Sequence, residues 1–172
     1  MPFKIVRNDI TRVKADVIVN TANPNPICAS GTDLAIYEAA GKEKLLEERA
    51  GIGKIARGDI AVTGAYNLKA KYIIHTVVPK WYDESETNQN ELLEECYKNI
   101  FRISADYDIK SIAIPTLGIG ACRAPVDIAV KIAIDGIINN FFRNTDIDKI
   151  YIVCNDSRIQ RTYIEYLNSL LD

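Results

Sequence analysis

A short apolar run leads into two asparagines, a loop of small residues, and then a helix that begins near an acid. The run is Asp16 to Asn20, and its length and β-branched content predict a central strand. The second asparagine is Asn23, the loop spans 28–31 and the acid is Asp33. A helix N-terminus presents free N–H groups to an anion, and small loop residues let backbone N–H groups come close to it. The pattern predicts a strand–loop–helix unit suited to a diphosphate and its sugar.

Composition and charge narrow the class of protein. The chain has 172 residues, 48% hydrophobic and 26% charged, which fits one domain with a good core. Its net charge of −2 argues against broad binding to nucleic acid. No apolar run approaches membrane-spanning length, and the first eight residues are too polar for a signal peptide. We therefore expect a cytoplasmic protein that does not contact membranes.

The cysteines and the histidine offer no metal-binding pattern. Four cysteines are spread along the chain without a Cys-x-x-Cys pair, and His75 is the only histidine. We expect reduced thiols, no metal and no cofactor. His75 lies in the middle of an apolar run, so we interpret it as a buried, structural histidine whose ring nitrogens are satisfied by neighbours.

Strand and helix patterns alternate along the chain. In addition to the strand at 16–20, β-branched and apolar runs predict strands at 3–7, 59–64, 72–78, 111–114 and 149–154. Helical patterns cover 31–40, 42–49, 88–106, 125–142 and 157–171. This alternation predicts an α/β fold with parallel strands and helices on both faces of the sheet.

Three of these helices carry start signals, and one of the three has a strongly apolar face. Asn88 with Glu91 and Ser157 with Gln160 have the spacing of capping boxes. Pro125 suits the first turn of its helix. The buried face of that helix is predicted from five isoleucines: Ile128, Ile132, Ile134, Ile137 and Ile138.

Three predicted strands end in turns that could share one crevice. These turns follow Asn20, Ile114 and Cys154. In parallel sheets, ligands bind beyond the carboxyl ends of the strands. The three separate segments are therefore expected to meet at one site.

The segment from Asn20 to Gly41 closely resembles the macro domain family, whose members bind ADP-ribose. The family pattern is Val-Asn-Ala-Ala-Asn, a glycine-rich loop, an acid, and Ala-Ala-Gly at the helix end. Asn20 and Asn23 match the two asparagines, and Asp33 matches the loop acid. The resemblance extends from Asp9 to Asp156. It implies a three-layer α/β/α fold with a mixed, largely parallel central sheet, as a single macro domain over 1–172.

Both phosphate loops depart from the family pattern. The first loop is Cys28-Ala29-Ser30-Gly31 in place of a run of glycines. The second is similar to the family's Ser-Thr/Ala-Gly loop, and Gly120 matches its glycine. Gly118-Ile119 replaces the usual Ser-Thr, and Cys122 replaces an aromatic residue beside the distal ribose. Arg123 replaces a glycine and could either contact phosphate or remain solvated.

The resemblance also implies which residues bind the ligand. Asp9 would accept a hydrogen bond from the adenine amino group, Ile10 would contribute a backbone contact, and Asn155 would lie beside adenine. Trp81 and Tyr82 are interpreted as packing at the rim. The other implied binding residues are Ala22, Ser30, Gly31, Thr32, Gly118, Ile119, Gly120, Ala121 and Cys122.

Macro domains include hydrolases and non-catalytic readers. By resemblance, Asn20, Asn23 and Asp33 are the candidate catalytic residues, because a carboxylate near the distal ribose can stabilise positive charge at C1″ or orient water. Each of these residues also has a purely structural interpretation. Asp33 would then be an acid that stabilises the start of a helix, and the two asparagines would form a turn.

We therefore expect hydrolysis of ester-linked mono-ADP-ribose on proteins or of O-acetyl-ADP-ribose. One alternative is a reader that binds ADP-ribose without turnover. The other is a protein that binds nucleotides or RNA ends, which the net negative charge of the chain disfavours. The expected partner is ADP-ribose or an ADP-ribosylated protein, with the chain as a monomer.

Overall fold

The computed structural model describes residues 3–141 and 146–172. Within them, the strands are β1 (Phe3–Arg7), β2 (Val17–Thr21), β3 (Ile60–Gly64), β4 (Tyr72–Thr76), β5 (Ser111–Pro115) and β6 (Lys149–Cys154). The helices are α1 (Thr32–Ala40), α2 (Lys42–Ile52), α3 (Gln89–Ser104), α4 (Val126–Phe141) and α5 (Ser157–Ser169), with a 3₁₀ turn at Ile10–Arg12. Phe142, the predicted end of the fourth helix, lies outside the described residues.

The strands form one sheet in the order β1-β6-β5-β2-β4-β3. The first five strands of this order are mutually parallel, and β3 pairs antiparallel with β4. The predicted mixed, largely parallel sheet is confirmed. Because five strands point the same way, the segments that follow them emerge at one edge.

Alternating residues of the strands pack against helices on opposite faces. Val17 and Val19 belong to a core shared with α3, α4 and α5, whereas Ile18 packs with α1 and α2. A strand buried on both faces is typical of a parallel sheet, and it explains the continuous apolar run that predicted β2. The predicted three-layer α/β/α arrangement is confirmed.

Both predicted capping boxes are wrong. Asn88 adopts a left-handed backbone with φ 59° and makes no side-chain cap. Asn tolerates that conformation better than most residues. At α5 the cap is Asp156, whose carboxylate accepts from the N–H groups of Arg158 and Ile159 at 2.7 and 3.2 Å. A charged acceptor at the positive end of the helix serves there instead of Ser157.

The predicted apolar face of α4 is correct except at its start. Ile132, Ile134 and Ile137 are buried, but Ile128 is 37% exposed. Ala129 and Val130 take the core-facing positions in that first turn. The helix begins at Val126, one residue after Pro125, whose carbonyl accepts from Ala129 N at 3.0 Å.

No helix within 3–141 or 146–172 is long and apolar enough to cross a membrane.

Candidate functional site

A cavity of about 680 Å³ lies at the edge of the sheet where the parallel strands end. Its walls come from the segments after β1, β2, β4, β5 and β6 and from the start of α1. The volume is within the range of small-molecule sites, roughly 300–1,000 Å³. The predicted binding residues that line it are Asp9, Ile10, Ser30, Gly31, Thr32, Gly118, Ile119, Gly120, Ala121, Cys122 and Asn155.

Four predicted site residues do not line this cavity: Asn20, Ala22, Asn23 and Asp33. Ala22 donates its backbone N–H to Thr76 O at 2.9 Å, which extends the pairing of β2 with β4. Thr21 lines the cavity in its place. Side chains along a strand alternate between its two faces, so Thr21 and Asn20 point to opposite sides of the sheet. Extending this alternation one residue beyond Asn20 would have identified Thr21 from the sequence.

Positive backbone angles shape the two loops that face each other across the cavity. Gly31 has φ 60°, Gly118 has φ 84° and Gly120 has φ 98°. In the second loop, Ala124 N donates to Gly118 O and Arg123 N to Gly120 O, which close a tight turn. These φ values favour glycine at all three positions, and they turn backbone rather than side chains toward the cavity.

Helix α1 points its N-terminus at the cavity. Gly31 precedes its first residue, Thr32, and both line the cavity. Because Gly31 has no side chain, it cannot cap the N–H groups of the first turn, which remain available to a ligand. Free N–H groups and the positive end of the helix dipole together form a site for an anion.

The Asp33 carboxylate lies beneath the first loop and is only 2% exposed. Its Oδ2 accepts from Ala29 N at 2.6 Å, and its Oδ1 accepts from Asn20 Nδ2 at 2.7 Å. Burial raises the pKa of Asp33, and these two hydrogen bonds oppose the rise. The carboxylate therefore fixes the loop 28–31 from below, a positioning role; its assignment as catalytic stays a prediction.

Asn20 is buried completely and joins Asp33 to His75. Asn20 shares the sheet face of Ile18, so its side chain points toward α1. Its Nδ2 lies 3.1 Å from His75 Nδ1, and His75 Nε2 lies 2.9 Å from Thr63 Oγ1. Burial lowers the pKa of His75 to about 3, so the ring is neutral at physiological pH. The predicted buried, satisfied histidine is confirmed.

Arg49 is a functional candidate that sequence reasoning missed. It lies in α2, is 1% exposed, and donates to the carbonyls of Asn23 and Pro24 at 3.2 Å each. A third hydrogen bond goes to Gly53 O. Its positive charge also lowers the pKa of Asp33, against the effect of burial. The run of charged residues in α2 predicts an exposed helix and gave no signal that one arginine is buried.

Asn23 lies in the turn whose backbone carbonyls accept hydrogen bonds from Arg49. Its Oδ1 accepts from Asn25 N at 2.9 Å, and its backbone carbonyl accepts from Arg49. The side chain is partly buried. Turn formation, the alternative considered for the asparagines, therefore describes Asn23, and a role toward a ligand stays a prediction.

Comparison with known proteins decides the family. The family model of the Macro domain matches residues 19–133, about two thirds of the chain. This chain belongs to the macro domain family.

This macro domain is similar to proteins named as deacetylases and to macrodomains solved with nucleotide ligands. It is 34% identical to O-acetyl-ADP-ribose deacetylase 1 of Pantoea vagans, covering 95% of this chain and 97% of that protein. It is 37% identical to O-acetyl-ADP-ribose deacetylase of Escherichia fergusonii, covering 92% and 91%. The Oceanobacillus iheyensis macrodomain solved with ADP has a TM-score of 0.91 at 31% identity, covering 98% and 91%. The Trypanosoma brucei macrodomain in complex with ADP-ribose has a TM-score of 0.88 at 26% identity, covering 96% and 68%.

The β1 and β6 end of the macro domain cavity carries Asp9 and Asn155. Asp9 accepts from Thr11 N at 2.9 Å and from Thr11 Oγ1 at 2.7 Å. These bonds from Thr11 lower the pKa of Asp9, so the exposed carboxylate is ionised at neutral pH. Asn155 is exposed directly after β6. Both side chains are accessible to a ligand in the cavity.

The opposite end is closed by Val78 and Cys122. Trp81 N donates to Cys122 O at 2.9 Å and ties the segment after β4 to the second loop. Trp81 packs partly buried against the core, and Tyr82 is 51% exposed beside it. Burial raises the pKa of the Cys122 thiol, which favours its neutral form. No group of three or more His, Cys, Asp and Glu in the described parts of the chain could hold a metal ion.

Proposed function

We propose that this macro domain binds ADP-ribose in the cavity and hydrolyses mono-ADP-ribose esters on proteins or O-acetyl-ADP-ribose. The observation that carries the proposal is the cavity itself, which runs along the ends of the parallel strands between two glycine-containing loops. Solved macrodomains with ADP and ADP-ribose, and relatives named deacetylases, support the ligand and the reaction.

The order of the strands suggests how ADP-ribose lies in the cavity. Adenine would occupy the β1 and β6 end, near Asp9 and Asn155. The diphosphate would lie between the N-terminus of α1 and the loop 118–120, where backbone N–H groups can bind its oxygens. The distal ribose would then reach the β2 and β4 end, near Thr21.

The proposed chemistry is stabilisation of charge at the distal ribose. In a protein ester at C1″, departure of the carboxylate builds positive charge on the sugar, and water adds to C1″ and gives up a proton. In O-acetyl-ADP-ribose, water adds to the acetyl carbonyl instead, and acetate and the ribose hydroxyl are the products. The Asp33 carboxylate lies beneath the loop that borders this position and would act through the field of its negative charge and by fixing the loop. Asn20 would hold that carboxylate, and Asn23 would orient the ribose hydroxyl groups or the water.

Calorimetric titration with ADP-ribose, with AMP and ADP as controls, tests the binding proposal. We expect clear preference for ADP-ribose, because only this ligand fills both ends of the cavity. Equal affinity for all three ligands would favour a general nucleotide site, and no binding would refute the proposal. Release of ADP-ribose from an ester-linked peptide, compared between wild type and Asn23→Ala, then tests the reaction.

The second candidate function is a reader that binds ADP-ribose without turnover. The observation that favours it is that both Asp33 oxygens already accept hydrogen bonds beneath the loop. Tight binding of ADP-ribose together with equal release rates in wild type, Asn23→Ala and Asp33→Ala would support the reader and reject the hydrolase.

A further inference from the structure

A cationic and aromatic rim stands beyond the distal end of the cavity. We call Lys80, Tyr82 and Arg123 the acceptor rim. Lys80 and Tyr82 follow β4, and Arg123 follows Cys122, which lines the cavity. The rim is therefore at the opposite end of the sheet edge from Asp9, which follows β1 at the far side of the strand order.

The three side chains of the rim are packed together. The Arg123 guanidinium carbon lies 5.4 Å from the centre of the Tyr82 ring, and Lys80 Nζ lies 5.8 Å from it. Both distances are within the range of cation–π contact. Tyr82 is 51% exposed, so this ring and its two cations form a surface that a ligand can reach.

Of the three acids that follow Tyr82, Asp83 and Glu86 have hydrogen-bond partners of their own, and Glu84 is exposed. Glu86 pairs with Arg57 at 2.9 Å and accepts from Lys80 N at 2.6 Å. Asp83 accepts from the backbone and hydroxyl of Ser85. Across residues 3–141 and 146–172, no carboxylate forms an ion pair with Lys80 Nζ or with the Arg123 guanidinium.

Two cationic side chains, Arg57 and Lys80, lie near the wall of the cavity at this end. Burial raises the pKa of the Cys122 thiol; Arg57 and Lys80 are close enough to oppose the rise, and Glu86, the partner of Arg57, adds to it. Arg57 also donates to the carbonyl of Val78, which lines the same end. A molecule that leaves the cavity beside Cys122 therefore passes the Arg57–Glu86 ion pair and the two cations of the rim, Lys80 and Arg123, in a chain whose net charge is −2.

We propose that the acceptor rim binds an acidic stretch of the polypeptide that carries the ADP-ribose. This inference rests on the proposed function, because the distal ribose must point toward the rim for the attached polypeptide to cross it. Carboxylates beside the modified residue would pair with Lys80 and Arg123, and the Tyr82 ring would pack against the peptide backbone. O-acetyl-ADP-ribose has no such stretch, so the rim selects modified protein over the small molecule.

The test compares two synthetic peptides that carry ADP-ribose through a hydrolysis-resistant linkage on a central residue. One peptide has glutamates on both sides of that residue and the other has glutamines. We expect wild type to bind the acidic peptide about threefold to tenfold more tightly, the range expected for two exposed charge contacts. Added salt should reduce the difference, since exposed charges are screened.

The Lys80→Gln, Arg123→Gln double variant should bind both peptides equally, when each affinity is expressed relative to that of the same variant for free ADP-ribose. The matched control is the double variant Lys98→Gln, Arg161→Gln, which removes two exposed cations elsewhere and should keep the preference. Equal affinity of wild type for the two peptides, or loss of the preference in the control, would overturn the inference. If wild type does not bind ADP-ribose at all, the proposed function fails and this inference falls with it.

Discussion

His75 Nδ1 accepts a hydrogen bond from Asn20 Nδ2 at 3.1 Å, and this contact fixes both the charge and the tautomer of the histidine. The same Asn20 nitrogen donates to Asp33 Oδ1 at 2.7 Å, so the amide must present its NH₂ group on that side. The proton of His75 is then on Nε2, which donates to Thr63 Oγ1. The Thr63 hydroxyl donates onward to Gly64 O at 3.0 Å. A protonated ring would place an N–H group against the amide NH₂.

We therefore predict that His75 makes the protein less stable as the pH falls from 7 to 5. Its folded pKa of about 3 is below the unfolded value of 6.5, so the unfolded chain takes up the proton first. Stability from this group is present above about pH 6.5 and is lost toward pH 3. Between pH 7 and 5 the loss is about 2 kcal/mol in the free energy of unfolding. Urea unfolding at both pH values measures it.

The control is His75→Gln, which has no titrating ring at this position. His75 is the only histidine in the chain, so no other imidazole contributes in this interval. The variant can be less stable than wild type at every pH, but its stability should change by about 2 kcal/mol less between the two pH values. Parallel pH profiles for the two proteins would contradict the assignment of a neutral, buried ring.

Asp33→Asn should impair the site almost as much as Asp33→Ala. Asparagine has one side-chain oxygen, so it can accept from either Ala29 N or Asn20 Nδ2, and its NH₂ group would face the other donor. A buried donor without an acceptor costs about 1–3 kcal/mol, which would loosen the loop 28–31. We expect about tenfold weaker binding of ADP-ribose in both variants, measured by calorimetry.

Glu38→Ala is the matched control for Asp33, because it removes an exposed acid from the same helix. It should bind ADP-ribose as wild type does. Wild-type affinity in Asp33→Asn would show that the loop does not depend on the carboxylate.

The sheet could be predicted from the sequence because its strands are buried on both faces. Such strands are continuous apolar runs, and Val17, Ile18 and Val19 are all fully buried. The strand order could not be obtained that way, since neighbours such as β1 and β6 come from opposite ends of the chain and pair only through tertiary contacts. The starts of the helices were predicted to within one residue, but the caps of α3 and α5 were not, because the choice between Asp156 and Ser157 as cap depends on the backbone angle at each residue.

The cavity-lining residues were predicted better than the groups beneath them. Small residues and glycines at strand ends mark the cavity wall, so eleven of the predicted binding residues line it. Whether a polar side chain such as Asn20 faces the ligand or the interior depends on which sheet face a helix covers. Arg49 is the extreme case, because nothing in its neighbours along the chain distinguishes it from the exposed charges of α2.

Arg49→Met should destabilise the protein by about 2–4 kcal/mol, since three backbone carbonyls lose a charged donor and buried Asp33 loses a nearby cation. Arg49→Lys should recover only part of this, because one ammonium group cannot match the planar fork that reaches both sides of the turn. Urea unfolding measures both. The control Arg161→Met removes an exposed arginine and should change stability by less than about 0.5 kcal/mol. A similarly small change in Arg49→Met would show that the buried arginine does not anchor the turn at Asn23.

Gly120→Ala and Gly53→Ala separate backbone strain from obstruction of the cavity. Both glycines have positive φ, 98° and 83°, and a Cβ added at either meets no protein atom within 4 Å. Each substitution should therefore cost about 1–2 kcal/mol of stability from the left-handed backbone alone. Only Gly120 lines the cavity, so only its new methyl group would enter space that a diphosphate needs.

We expect Gly120→Ala to weaken binding of ADP-ribose by at least about tenfold, and Gly53→Ala to leave it within about twofold of wild type. Calorimetric titration gives the affinities, and urea unfolding confirms that the two variants lose similar stability. Equal losses of affinity would mean that strain, transmitted through the fold, limits binding. Unchanged affinity in Gly120→Ala would place the diphosphate elsewhere than against the loop 118–120.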